Sequence, residues 1–151
     1  GLANRHVFQA RYTDVVRDTL NYGFASALAL VDLDRFKELN DKFGHEAGDA
    51  CLREIAMRLR RAFRDAGLVA RLGGDEFALI LRAPTTPARI AQEVGASIGV
   101  ALISRPHRRR IAELFAEADM ALYAAKTAGR NKVHLFSDAD GNYSVKPGAA
   151  A

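Results

Sequence analysis

Apolar positions recur along this chain with two periods, and the switches between them mark out the elements. Phe8, Tyr12, Val15 and Thr19 fall at helical spacing after Asn4, a residue suited to accept a free backbone N–H at a helix start. A first helix is therefore predicted from Asn4 to about Leu20. Ala25–Leu33 is a nearly continuous apolar run, the pattern of a central strand covered on both faces, and it ends in Asp32-Leu33-Asp34. A short helical piece is predicted from Arg35, then a turn at Phe43-Gly44-His45. Ala47–Phe63 carries an apolar stripe of Leu52, Ile55, Ala56, Leu59 and Phe63, with Arg53, Glu54, Arg58 and Arg61 on the wet side.

The next two apolar runs are shorter. Leu68-Val69-Ala70 and Phe77–Leu81 flank a Gly-containing turn and read as a β-hairpin. Pro84-Thr85-Thr86-Pro87 then breaks the pattern, and Ala88–Glu93 has room only for a short helix. Gly95–Leu102 reads as a strand. Ile111–Lys126 reads as an amphipathic helix with Ile111, Leu114, Phe115, Ala118 and Leu122 inward, and Lys132–Phe136 as a last short strand. Ser137–Ala151 is polar and is expected to be a flexible C-terminal tail, which leaves residues 1–136 as one folded domain. The hairpin demands antiparallel pairing. The expected fold is thus α/β in content (α+β), an antiparallel or mixed sheet with helices packed on it, and a ferredoxin-like core fits best.

Composition narrows the function classes. The chain has 151 residues, 49% of them hydrophobic, enough for a real core. Its apolar stretches are far shorter than a membrane span, no secretory leader is visible, and the single cysteine, Cys51, excludes an internal disulfide. A cytoplasmic location with no membrane contact by this domain is expected. The formal charge of +4 favours an anionic ligand without naming one. Arg108-Arg109-Arg110 is the one dense basic run. It has no interleaved aromatics and reads as a solvated loop, so no nucleic-acid partner is expected.

The chemistry concentrates in Arg71-Leu72-Gly73-Gly74-Asp75-Glu76-Phe77. Gly-Gly-Asp is also a common hairpin turn, but this one adds a second carboxylate. Glycines allow a backbone to approach a bulky ligand, and adjacent carboxylates can hold a hard cation that binds phosphates. Asp32, at the C-terminal end of the first strand, can converge with Asp75 if that strand pairs with the hairpin. Asp34 is expected to cap the helix beginning at Arg35. The backbone N–H groups of Arg35 and Phe36 can take phosphate, and Lys37 can add charge. Lys126 and Arg130 lie four apart and would share a helix face, or simply match the helix dipole, with Gly129 as terminator. Asn40 and Asp49 have the donor and acceptor groups to read a guanine edge, although Asp49 could instead favour a helix N-terminus.

Taken in order, the chain resembles the GGDEF-domain diguanylate cyclases. The resemblance rests on Gly1-Leu2-Ala3-Asn4-Arg5, Asp32-Leu33-Asp34-Arg35-Phe36-Lys37, Asn40-Asp41, Gly44-His45, Gly48-Asp49, Ala70–Phe77, Ser97-Ile98-Gly99-Val100, Ala118–Tyr123, and Lys126 with Gly129-Arg130-Asn131. It implies a cyclase-palm-like fold and condensation of two GTP into cyclic di-GMP plus two pyrophosphates, with Mg²⁺ or Mn²⁺. It also implies that Asp32, Asp75 and Glu76 are catalytic, with Asp32, Asp75 and the backbone oxygen of Leu33 on the metal. Asn40 and Asp49 would read guanine. Phe36, Lys37, Gly74, Lys126 and Arg130 would hold the triphosphate. Catalysis would need a homodimer, and the product could return to the active half-site. The alternative is a weak or inactive GTP- or cyclic di-GMP-binding regulatory module.

The chain departs from the family at three places. Where many members carry an inhibitory Arg-x-x-Asp, it has Arg64-Asp65-Ala66-Gly67, so that allosteric site is expected to be lost. It begins after the family's usual lead-in, so upstream sensory, dimerising or membrane-anchoring parts are expected to be missing. Only Pro84–Val94 stands where the family has a longer helix and a strand, about 17 residues by mean element lengths. Either the domain is shortened there, or the sequence lacks a stretch between Glu93 and Val94.

Overall fold

A computed structural model of the chain describes residues 2–23, 26–64, 67–82, 94–103, 110–136 and 143–145. Helix α1, Arg5–Tyr22, starts where the polar-then-periodic pattern predicts: the Asn4 side chain accepts the Val7 N–H at 2.9 Å, and the helix closes on Gly23 in the left-handed region. Such a cap contributes about 1 kcal/mol. Strand β1, Ser26–Leu33, leads into α2, Phe36–Phe43, and α3, His45–Ala62. The hairpin strands are β2, Gly67–Gly73, and β3, Glu76–Arg82. Strand β4, Ala96–Ile103, then helix α4, Ile111–Thr127, and the short strands β5, Val133–Leu135, and β6, Tyr143–Val145, complete the described residues. The α4 start is held by the Glu113 carboxylate, which accepts the Arg110 N–H at 2.6 Å. The segment beyond Ser137, expected as a tail, therefore supplies one strand at 143–145. The expected short helix at 88–93 and the basic residues Arg108 and Arg109 lie outside the described residues.

The strands form one mixed sheet in the order β2-β3-β1-β4-β5-β6. Its first four members show the order of a ferredoxin-like core, with β1 antiparallel to both β3 and β4. Strand β5 joins β4 in parallel after the α4 crossover. The mixed sheet with packed helices matches the expected class. Period-two alternation along the strands divides the core between two faces. Leu52, Ile55, Leu59 and Phe63 of α3 pack on Ala29, Val31, Phe77, Leu79 and Ile98. On the opposite face, Phe8 and Tyr12 of α1 and Leu114, Ala118 and Leu122 of α4 pack on Leu28, Leu30, Ile80 and Ile103. Coverage on both faces is why β1 reads as an almost unbroken apolar run. Asp32, two residues after Leu30, projects on the α1/α4 face at the strand end.

A further contact ties the start of the chain to the hairpin. Ala3 forms a parallel bridge with Ala70, and the Arg71 N–H donates to the Ala3 carbonyl at 3.1 Å.

Candidate active site

The site is built where β1 ends. Asp32 stands directly opposite Glu76 of β3 and Ser97 of β4. The two residues between Gly73 and Glu76, Gly74 and Asp75, make the hairpin turn, and Gly74 is left-handed at φ 50°. The Leu33 N–H donates to the Asp75 carbonyl at 3.3 Å, bringing the turn against the strand end. Arg71 clamps the same turn, its guanidinium donating twice to the Gly74 carbonyl, at 3.0 and 2.8 Å. The expected convergence of Asp32 with the hairpin carboxylates is therefore present.

Electrostatics follow from that convergence. Lys126, in the last turn of α4, reaches Asp32 with Nζ 3.1 Å from Oδ1. Burial raises the Asp32 carboxyl above its ordinary value. The hydrogen bond and charge of Lys126 pull it down, and the negative charges of Asp75 and Glu76 push it up again. Ionised acids gathered this way call for added positive charge. Among the described residues, no three His, Cys, Asp or Glu side chains group so as to hold an ion by themselves. The donors at the strand end are all oxygens. Two carboxylates with positions left for phosphate oxygens suit a hard divalent cation that keeps part of its shell from substrate.

The α2–α3 junction carries the other group of expected residues. Helix α3 begins at His45, two residues earlier than expected, which puts Asp49 in its second turn, where the influence of a helix dipole fades. Asn40, near the end of α2, has a buried Oδ1 with no hydrogen-bond partner. It lies against the α3 backbone: a Cβ at Gly48 would sit 1.8 Å from that oxygen and 3.2 Å from the Phe36 ring. Gly48 is thus required for Asn40 to occupy its place. Lys37 lies exposed on α2, one residue after Phe36.

Two expectations are corrected. Asp34 does not cap α2. The residue at that boundary is Arg35, itself left-handed at φ 59° and making no side-chain cap bond. The Asp34 carboxylate turns the other way, toward β4 and the end of α4. Nor is Arg130 on a shared helix face with Lys126. Helix α4 ends at Thr127, and Gly129, Arg130 and Asn131 all have positive φ, at 106°, 61° and 48°. The Arg130 N–H closes back on the Ala125 carbonyl at 3.0 Å. A left-handed conformation costs most non-glycine residues about 1–2 kcal/mol, so Arg35 and Arg130 persist only because surrounding contacts dictate them, whereas Asn131 is of a type that tolerates it. Arg35 directly follows Asp34, Asn131 is hydrogen-bonded to it, and Arg130 precedes Asn131.

Sequence reasoning passed over the clamp by Arg71, the pairing of Lys126 with Asp32, and Ser97. Ser97 had a usable signal: a hydroxyl in an otherwise apolar central strand must find a partner.

At the opposite end of the hairpin, Arg64 is exposed, and Gly67 pairs with Leu81. A Cβ at Gly67 would lie 1.5 Å from the Ile80 carbonyl oxygen. No other side chain fits there without moving the strand. A cavity of about 750 Å³ beside it is lined by Leu2, Met57, Arg60, Arg61, Arg64 and Gly67, among others.

Comparison with known proteins agrees with this architecture. The family model for the diguanylate cyclase GGDEF domain matches residues 1–94 and 82–132. The chain is 40% identical over 155 aligned residues to the diguanylate cyclase TpbB of Pseudomonas aeruginosa, covering 89% of this chain and 35% of that protein. It therefore spans about a third of that relative's length. Among solved structures, it is similar to the GGDEF domain of TpbB (YfiN), with a TM-score of 0.78, 39% identity, and coverage of 89% of this chain and 96% of that one. It is also similar to the GGDEF domain of DgcB from Caulobacter crescentus in complex with c-di-GMP, with a TM-score of 0.79, 29% identity, and coverage of 89% and 91%. The aligned span with TpbB exceeds the 151 residues of this chain, and the two family matches overlap at 82–94. Both observations accord with a segment that is short here relative to its relatives. Among the described residues, no helix is long and apolar enough to cross a membrane.

Proposed function

The chain belongs to the GGDEF family of diguanylate cyclases, and from that premise we propose that it condenses two GTP into cyclic di-GMP with release of two pyrophosphates. The observation that most supports this is the gathering of Asp32, Asp75 and Glu76 at one strand end with the Lys126 ammonium on Asp32. Asp32 and Asp75, with the Leu33 carbonyl, are the residues to hold the divalent cation that such cyclases need, Mg²⁺ or Mn²⁺. When bound, the cation neutralises triphosphate charge and lowers the pKa of the attacking hydroxyl.

The remaining residues take roles that their positions suit. Asn40 offers a buried, unpartnered oxygen to guanine N–H donors, and Asp49 offers a carboxylate close by in sequence on α3. The N–H groups of Arg35 and Phe36, the Lys37 and Lys126 ammonium groups and the Arg130 guanidinium hold the triphosphate. Gly74 lets the turn backbone meet it. Glu76, cross-strand from Asp32, helps to activate the 3′-hydroxyl. The 3′-oxygen of one GTP attacks the α-phosphate of the other in line, and pyrophosphate leaves. One domain presents one GTP, so two copies must face each other about a two-fold axis. Product carries the same guanine and returns to the half-site as a competitor of GTP. The close approach of the Ile80 carbonyl to Gly67 supports the reading that no Arg-x-x-Asp inhibitory site operates in this chain.

The test is incubation with GTP and Mg²⁺, with the product identified by mass. Product is expected, and enforced dimerisation by a fused coiled coil should raise its rate. No product from the enforced dimer at saturating GTP would favour a module that binds the nucleotide without turning it over.

A further inference from the structure

The Asp34 carboxylate has no part in the scheme above, yet it joins separate pieces of the same site. Its own N–H donates to the Gly95 carbonyl at 3.0 Å, just before β4. Oδ1 accepts the hydroxyl of the fully buried Ser97 at 2.7 Å. Oδ2 accepts the backbone N–H of Asn131 at 2.8 Å, across a separation of 97 residues. Asn131 is the last of the three left-handed residues that carry Arg130 away from α4, and left-handed Arg35 directly follows Asp34. An N–H in such a turn belongs to no helix or strand ladder and must find its acceptor elsewhere. An ionised carboxylate is the strongest acceptor a side chain can offer it.

Building on the GTP reading above, we propose that Asp34 is a positioning residue for the triphosphate, holding the Arg130 turn in register with the start of α2 at 35–37 and the carboxylates at the strand end. The two candidate phosphate-holding segments come from distant parts of the chain, and Asp34 is adjacent to one and bonded to the other. Its action is on phosphate placement, through Arg130, and guanine recognition at Asn40 is separate from it.

The experiment measures binding of GTP and of guanosine by calorimetry in wild type, Asp34→Ala, Asp34→Asn and Arg130→Ala. Asp34→Ala should lose roughly tenfold in GTP affinity, as for a lost bond to a charged group, while guanosine affinity stays within about twofold. Asp34→Asn should recover most of the loss, because the amide oxygen can accept from Asn131 while its NH₂ donates to the Ser97 oxygen. In an Arg130→Ala background the Asp34→Ala loss should shrink below about threefold, since coupled residues do not add. If Asp34→Ala does not fold, Ser97→Ala carries the test, with GTP affinity falling about threefold and guanosine affinity unchanged. GTP affinity unchanged in the variant, GTP and guanosine falling together, or full additivity with Arg130→Ala would each overturn the assignment. Wild type that binds neither ligand would instead overturn the GTP reading on which the assignment rests.

Discussion

Two glycines, one on helix α3 and one on strand β2, have opposite effects. Gly48 faces the Asn40 side chain and leaves it a place, with an oxygen buried and unpartnered. Gly67, at the far end of the hairpin, faces the Ile80 carbonyl so closely that its missing side chain is replaced by the protein's own backbone. The first omission makes room for a polar side chain; the second is filled by the main chain. Like charges and left-handed residues collect at the end of β1, and the α2–α3 junction adds an unsatisfied oxygen, all features that raise the energy of the free chain. At the Gly67 end, the ladder simply closes. Strain and unpaired groups are features that cluster at functional sites in general.

The largest expected break comes from Asp75→Ala. It sits in a two-residue turn, so few packing contacts go with it. Loss of a metal carboxylate should cut turnover by about a thousandfold, in line with the several kcal/mol such charge stabilisation supplies, while thermal unfolding shifts little. Near-wild-type turnover of the folded variant would remove the metal assignment. Gly48→Ala comes next. The added methyl would occupy the position of Asn40 Oδ1. GTP affinity should fall by about tenfold or more, with the preference over ATP reduced, as buried polar groups left unpaired cost about 1–3 kcal/mol. Competition binding with GTP and ATP checks it.

Gly67→Asp tests the other end. It restores the family's inhibitory pattern in sequence, but the backbone has no space for it. Stability should drop by about 1–3 kcal/mol, as for overpacking, and product inhibition should stay competitive with GTP. Non-competitive inhibition appearing in a stable variant would show that the end is open after all. The smallest effect is on pH. The folded Asp32 carboxyl lies above its ordinary value of 3.8, so the folded chain keeps that proton longer than the unfolded chain. Its contribution to stability is therefore present in acid and is lost as pH rises through the raised value. Without divalent cation, Asp32→Asn should flatten that slope, leaving the variant at neutral pH at least as stable as wild type in thermal melts.

The sequence carried the local half of this structure. Apolar spacing marked α1, α3 and α4 to within two residues, because one face of each helix is buried and the pattern records it. The hairpin and the convergence of Asp32 with Asp75 followed from strand pairing. What it did not carry was decided by tertiary contact. Asp34 looked like a cap because Asp before a helix often is one, and its true partners lie 63 and 97 residues away. Arg130 looked helical from its spacing to Lys126, yet three positive φ angles redirect it. The parallel pairing of β5 on β4 had no signature in a three-residue strand.

The joint between Ala3, Arg71 and Gly74 acts as a short mechanical linkage. One end of Arg71 is fastened by its backbone to the residues before α1, and the other end grips the signature turn through its guanidinium. Two hydrogen-bonded connections in series, with one side chain as the rod, span that whole path. Residues 2–4 thus meet the Gly74-Asp75 turn by hydrogen bonds through a single side chain, in addition to the packing of Leu2 and Ala3 on the core.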